Sequence, residues 1–539
     1  MGARDDASVK RLTLVACIMG SGIVLLDGSV VNVALPTIQR ALGGGLAAQQ
    51  WVVNGYLLTL GSLILVGGSL GDLYGERRVF ALGVSGFGVA SLACALAPSI
   101  GALVAARALQ GVAGALLVPS SLAVIVNTFP EAERGPAIGS WTAWGAIAAV
   151  LGPLAGGELL AIASWRWIFL VNLPFAAACV ALIMYVMPMQ QAGARDRARE
   201  PRHVDVLGGA LCALGLGGPV FALIEQPRLG WSSPAVWGTL IGGVLLLAAF
   251  LLLEARVRDP MLPLGLFRRR NFSAGNIETF AMYAGLAVLF FFLVLFLQQI
   301  GGYTPLQSGL ATLPVAIVMF LLSRRFGALA DRFGPRAFMG GGPLVAAVGL
   351  LLFQRVGVHV DYLGAVLPAL LVFSLGLAMT VAPLTAAVLA GSERQAGIAS
   401  GVNNAIARVA GLLGTAAVGA AVAASFVSRL ESGLAGVPLG PAANSAVAAA
   451  KRLPLGTPDV QGLPPRQAHA ITSAAEAASL HSFHLGLAVA AVLVAVGGAA
   501  GVIGIRNPRG PIAAAECASG QLVGTGREMI ERVAPRHVA

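Results

Sequence analysis

The chain has 539 residues, 57% hydrophobic and only 11% charged, with a formal net charge of +11. An ordinary soluble domain carries roughly 25% charged residues, so a soluble enzyme of this length would have too little charge to cover its surface. A polytopic all-α membrane protein is the class that remains.

In chain order, Lys10 and Arg11 precede a first apolar run that resembles a signal peptide only weakly, and it is read as a retained helix. Apolar runs predict fourteen membrane-crossing helices, at about 12–34, 51–70, 79–98, 101–126, 137–161, 167–187, 204–224, 234–254, 272–298, 309–326, 337–353, 362–390, 397–427 and 482–505. Basic links at 190–203 and 255–270 flank the seventh and eighth. The segment 429–480 is rich in Ala, Pro, Gly and Ser, with a short helix expected at 465–478. A polar tail follows residue 506, with a further short helix expected at 524–533.

The second span runs into GSLGDLYGERR (68–78), and the tenth into GALADRFGPR (327–336). The recurrence predicts a duplicated bundle arranged 6+2+6: a tail at 1–11, a six-helix bundle at 12–189, links and two inserted helices at 190–271, a second bundle at 272–505 and a tail at 506–539. Paired repeats are how many secondary transporters hold substrate near mid-membrane and alternate access to it. The basic residues then give orientation. Twenty-five of the 35 fall on the side of the N-terminus, eight on the other, and Arg107 and Arg408 lie within spans. This predicts cytoplasmic termini and a topological rather than nucleic-acid role for the net charge.

The residues inside spans carry the chemistry. Asp27 is a carboxylate where a charge is expensive, which suits reversible protonation on an interior path, or solvated capping if it lies near the outer surface. Arg107, Gln110, Gly111 and Gly114 share one helical face. The arginine there can respond to a nearby acid or snorkel to the surface. Gly145, Gly152 and Gly156, with Pro153, form a small-residue seam and a bend that pack tightly or shape a pathway. Glu278 is the next protonation candidate, and Arg408 shares a face with Asn404 and Gly411. Glu158 and Glu225, near helix ends, are expected to be solvated. The two turns pair acids with bases: Asp72 with Arg77 and Arg78, and Asp331 with Arg332 and Arg336. Gly68, Gly75, Gly327 and Gly334 allow tight bends. These turns form a latch that breaks as the halves rock, or anchors that only set topology.

Other chemistry has little support. The scattered Cys17, Cys94, Cys179, Cys212 and Cys517 lack metal spacing or a disulfide framework. His481 and His484 have no third ligand near in sequence. No GxxxxGK phosphate loop or nucleophile constellation occurs.

Together these stretches resemble the major facilitator superfamily, in particular its fourteen-helix drug:proton antiporter branch of the QacA/EmrB type. The two turns resemble its cytoplasmic-loop motif, RALQGVAGA (107–115) its helix-4 motif and VLGPLAGG (150–157) its antiporter motif. LDGSVVNVALP (26–36) resembles LDxTVVNVALP with Ser29 in place of threonine, and SWRWIFLVNLP (164–174) is also typical. The resemblance implies export of amphipathic, often cationic drugs from the cytoplasm in exchange for protons. By it, Asp27 and Arg107 serve coupling, no organic cofactor is needed, and the chain works as a monomer in the inner membrane. Export of an endogenous metabolite, a transporter-like sensor and a membrane enzyme are the alternatives.

Overall fold

The structure, a computed structural model, describes residues 3–190, 205–257, 260–389 and 396–507. Among the described residues the longer elements are all helices: α1 (Ala3–Leu42), α2 (Leu46–Tyr74), α3 (Glu76–Ala95), α4 (Ile100–Thr128), α5 (Glu131–Ile162), α6 (Trp167–Leu170), α7 (Asn172–Gln190), α8 (Val206–Leu229), α9 (Pro234–Glu254), α10 (Arg270–Gln299), α11 (Pro305–Phe333), α12 (Pro335–Leu352), α13 (Leu367–Leu389), α14 (Ala396–Gly433), α15 (Pro441–Ala450) and α16 (Pro465–Gly504). Among the described residues fourteen spans are long and apolar enough to cross a bilayer, with α6 and α7 together making one.

Local chemistry sets the helix ends. Gly75 (φ 91°) alone separates α2 from α3, and Gly334 (φ 87°) alone separates α11 from α12. Side chains rarely adopt that backbone region, so the glycine recurring in both turn motifs is what makes a one-residue reversal possible. Ser99 caps α4, Asp205 caps α8, and Thr304 with Gln307 forms a capping box on α11.

Some boundaries differ from the sequence reading. Helix α1 extends beyond 12–34 at both ends, because polar residues continue a helix where the apolar run has stopped. The expected helix at 465–478 and the last span are one helix, α16, since Ser479, Leu480 and His481 between them include neither Gly nor Pro. The link at 191–204 and the expected helix at 524–533 lie outside the described residues.

The duplication is visible in the packing. α1 lies against α5 as α10 lies against α14; α2 against α4 as α11 against α13; α3 against α4 and α7 as α12 against α13 and α16. The two bundles meet mainly through α2 with α14 and α5 with α11, with α1 touching α10. The inserted α8 and α9 pack on each other, and α8 touches both α2 and α14. Val220 and Ile224 of α8 share a buried cluster with Leu412 and Ala416 of α14. The inserted pair therefore flanks the seam between bundles rather than separating them.

Candidate functional site

The first bundle converges on Asp27. Its carboxylate is 0% exposed and forms an ion pair with Arg107 Nη1 through Oδ2. Asp27 Oδ1 accepts hydrogen bonds from Gln110 Nε2 (2.9 Å) and Asn172 Nδ2 (3.1 Å). Arg107 Nη1 also donates to Gln110 Oε1 (2.6 Å), and Arg107 Nε to the Val52 carbonyl (3.1 Å). Ser91 Oγ holds Gln110 (2.9 Å) and Asn172 (3.3 Å) from behind. The Tyr56 ring lies 4.2 Å from the Arg107 guanidinium carbon. Five helices, α1, α2, α3, α4 and α7, thus supply one polar network.

Its energetics follow from burial. An isolated charge in the bilayer is expensive, and a buried pair is tolerable when its remaining donors and acceptors are satisfied. Here both charges are dry, their sum is zero, and Gln110 uses its amide on both sides. Proton transfer to Asp27 would remove its charge and leave Arg107 held by Gln110, the Val52 carbonyl and the Tyr56 face. Asp27 is not solvated at the surface, and Arg107 does not snorkel. Nothing in the sequence names a partner for Arg107 or marks Ser91 and Tyr56, uncharged residues without distinctive spacing, and Asn172 enters only as part of SWRWIFLVNLP.

The small residues bring these helices close enough. A methyl group on Gly152 or Gly156 of α5 would collide with Ser29 or Val30 of α1, and one on Gly145 would lie 2.9 Å from Leu25. The predicted seam is therefore the α1–α5 interface. Gly111 packs on the Tyr56 carbonyl and Thr59, and Gly114 lies against Leu60. Gly111 and Gly114 thus turn toward α2, while Arg107 and Gln110 reach Asp27. At Pro153 the seam meets the second bundle, where its carbonyl oxygen is 2.6 Å from the position of a Cβ on Gly309 of α11.

Polar bonds between bundles cluster at the end of the molecule opposite Lys10. Gln50 Nε2 donates to the Thr415 carbonyl (2.6 Å), and Thr415 Oγ1 to Asn54 Oδ1 (3.0 Å). Gln298 Nε2 donates to the Val33 carbonyl (2.9 Å) and, within its own bundle, to Ser308 (2.8 Å), and Gln299 Nε2 to Gln39 (3.3 Å). Nearby, Leu455 of the long loop is fully buried in the cluster that also holds Leu35, Leu46 and Phe296. The halves are closed together at this far end by neutral amides, which sequence reading passed over because it weighed charges.

The turn residues sit at the other end. Asp72 and Arg78 are exposed, Arg77 is half-buried, and Glu76 accepts from Asn127 Nδ2 (2.7 Å). Gly68 lies beside Pro119, and Gly327 beside Ala382. Arg336 donates to the Val502 carbonyl (2.7 Å) and its amide to Asn507 (3.1 Å), and Arg332 lies over Phe333. Asp331 is exposed and has no hydrogen bond or ion pair among the described residues.

Glu278 lies apart from Asp27, inside the second bundle. It is 0% exposed, neither carboxylate oxygen has a hydrogen-bond partner among the described residues, and Oε2 is 2.9 Å from where a Cβ on Gly501 of α16 would stand. Asn403 of α14 bonds to Asn276 (3.0 Å) and Thr279 (2.7 Å) on the same helix, α10. Arg408 is half-buried where α14 meets Gly61 of α2. Glu158 is exposed. Glu225, expected to be solvated, instead accepts from Trp51 Nε1 (3.0 Å) and pairs with Arg228 (2.8 Å), because α8 packs on α2 there. His484 Nε2 bonds to the Val356 carbonyl (2.9 Å).

Comparison with known proteins agrees with this architecture. Residues 17–415 match the family model described as Major Facilitator Superfamily. The chain is 40% identical to the puromycin resistance protein pur8 of Streptomyces alboniger, covering 75% of this chain and 80% of that one. It is 34% identical to the tetracenomycin C resistance and export protein of Streptomyces glaucescens, over 76% of each. It is 35% identical to the multidrug resistance protein Stp of Mycobacterium tuberculosis, over 78% of each. The fold is similar to a bacterial homologue of the human lysosomal transporter Spinster, solved inward-facing and unoccupied, with TM-score 0.61 and 15% identity over 93% of this chain and 99% of that one. With two matching six-helix bundles, a charged hub in the first and relatives of this kind, the chain belongs to the major facilitator superfamily and is a multi-pass membrane transporter rather than an enzyme.

Proposed function

We propose that the protein is a proton-coupled antiporter that exports amphipathic drugs or antibiotics across the cytoplasmic membrane by alternating access. The observation that carries this reading is the dry Asp27–Arg107 pair at the junction of five helices. A proton on Asp27 switches the charge of a network that those helices share, so proton binding is tied to their packing. The far-end amide bonds between bundles support a state closed on that side. In the cycle, protonation from outside releases cargo and favours return inward, and proton loss to the cytoplasm restores cargo binding. Glu278 is a second acid for the same work. The cation asymmetry supports cytoplasmic termini. The chain acts as a monomer and requires no organic cofactor.

Relatives named for antibiotic resistance and export support the drug reading. The same names favour a second reading, self-resistance through export of an endogenous antibiotic, which a neighbouring biosynthetic gene cluster would distinguish. The test is efflux in an efflux-deficient host with and without a protonophore, followed by substrate-driven proton flux in proteoliposomes. Export that persists after the proton gradient collapses overturns the coupling.

A further inference from the structure

Asp27, Arg107, Glu278 and Arg408 are the charges set deep in the spans, and three of them are closed off. Asp27 and Arg107 neutralise each other in a dry network. Glu278 is sealed between α10 and α16. Arg408 differs from all three in exposure. It is only half-buried, and its guanidinium has no hydrogen bond, ion pair or ring contact with any described residue.

Its position is between the bundles. Helix α14 begins at Ala396, which puts Arg408 roughly 18 Å along the axis, near the middle of a bilayer. The Arg408 Cβ is 3.1 Å from where a Cβ on Gly61 of α2 would stand. It lies within electrostatic reach of Tyr56 of the first bundle and Tyr283 of the second. Tyr56 is buried beneath Arg107, whereas Tyr283 is half-buried. A guanidinium offers five donors and cannot shed its charge. At this depth it needs an acceptor or water, and no described carboxylate supplies one.

We propose that Arg408 is a specificity residue that receives an acidic oxygen of the cargo, a carboxylate, phenolate or enolate on an aromatic scaffold, between the two bundles. The family resemblance implies cationic cargo, but the open charge at this seam has the sign that repels it. An oxyanion would supply the missing acceptors, and the planar guanidinium suits a flat conjugated acid. The assignment rests on the export reading for its claim that the bound molecule is cargo.

The test is equilibrium binding to the purified full-length protein, followed by fluorescence anisotropy, with two dyes of one scaffold. These are the fluorescein anion and the tetramethylrhodamine ethyl ester cation. The parent protein is expected to bind fluorescein roughly tenfold or more tightly than the rhodamine. Arg408→Gln should weaken fluorescein binding roughly tenfold to a hundredfold and leave rhodamine binding unchanged or stronger. Arg408→Lys should fall between, and serves if the glutamine variant does not fold. Added salt should weaken only fluorescein. Preference for rhodamine, no fluorescein binding by the parent, or equal weakening of both dyes by Arg408→Gln overturns the assignment. Binding needs no gradient, so its failure is distinct from export that ignores a protonophore.

Discussion

Asp27 and Arg107 are 80 positions apart in sequence and form one ion pair with no exposure to solvent. The pair draws α1 and α4 together, and Gln110, Asn172 and Ser91 bind it to α3 and α7. A single buried ion pair thereby touches most of the first bundle.

Removing one member of the pair should separate stability from coupling. Asp27→Ala leaves Arg107 buried without its counter-ion and should destabilise by about 3–5 kcal/mol. Asp27→Asn can still accept from Gln110 and Asn172, and should cost less. Both should lose gradient-driven export. Thermal unfolding in detergent, beside efflux at matched membrane abundance, checks this; full export by Asp27→Asn would remove Asp27 from the mechanism.

The α1–α5 seam should tolerate no added volume. Gly152→Ala and Gly156→Ala each place a methyl group into Ser29 or Val30, and should cost about 1–3 kcal/mol. Gly28→Ala, with nothing within 4 Å of the new methyl, should be neutral or slightly stabilising. Equal melting temperatures for the three variants would refute close packing as the reason for the seam.

Closure at the far end should be easy to wedge. On Gly157 an added Cβ would lie 2.5 Å from the Cα of Leu306, backbone that cannot turn aside. Gly157→Ala should therefore hold α5 and α11 apart at that end and lower export severalfold at matched membrane abundance. Undiminished export by Gly157→Ala would contradict alternating access through this seam.

Glu278 offers a contrast with Asp27. Its oxygens lack partners among the described residues, so Glu278→Met, which fills similar space without polar atoms, should raise or preserve the melting temperature. If Glu278 carries a proton in the cycle, the same variant should transport fewer protons per cargo molecule. An unchanged proton count in proteoliposomes would assign it no coupling role.

Much of the architecture is legible in one dimension. Span length and apolar composition suffice to count fourteen helices, because crossing hydrocarbon is a demand on each segment alone. The repeated turn motifs announce the duplication, and Gly75 and Gly334 show why they recur, since a one-residue reversal needs a positive φ. Asp27 and Arg107 stand out for the same local reason: a charge within a span cannot face lipid cheaply. What the tertiary structure alone decides is partnership. Ser91, Asn172 and Tyr56 look ordinary until helix rotation turns them toward Asp27, and Gln50, Asn54 and Gln298 matter only where the bundles touch. Glu278 and Arg408 are equally conspicuous as intramembrane charges, yet packing seals the first and leaves the second open, because burial depends on neighbours brought from distant parts of the chain.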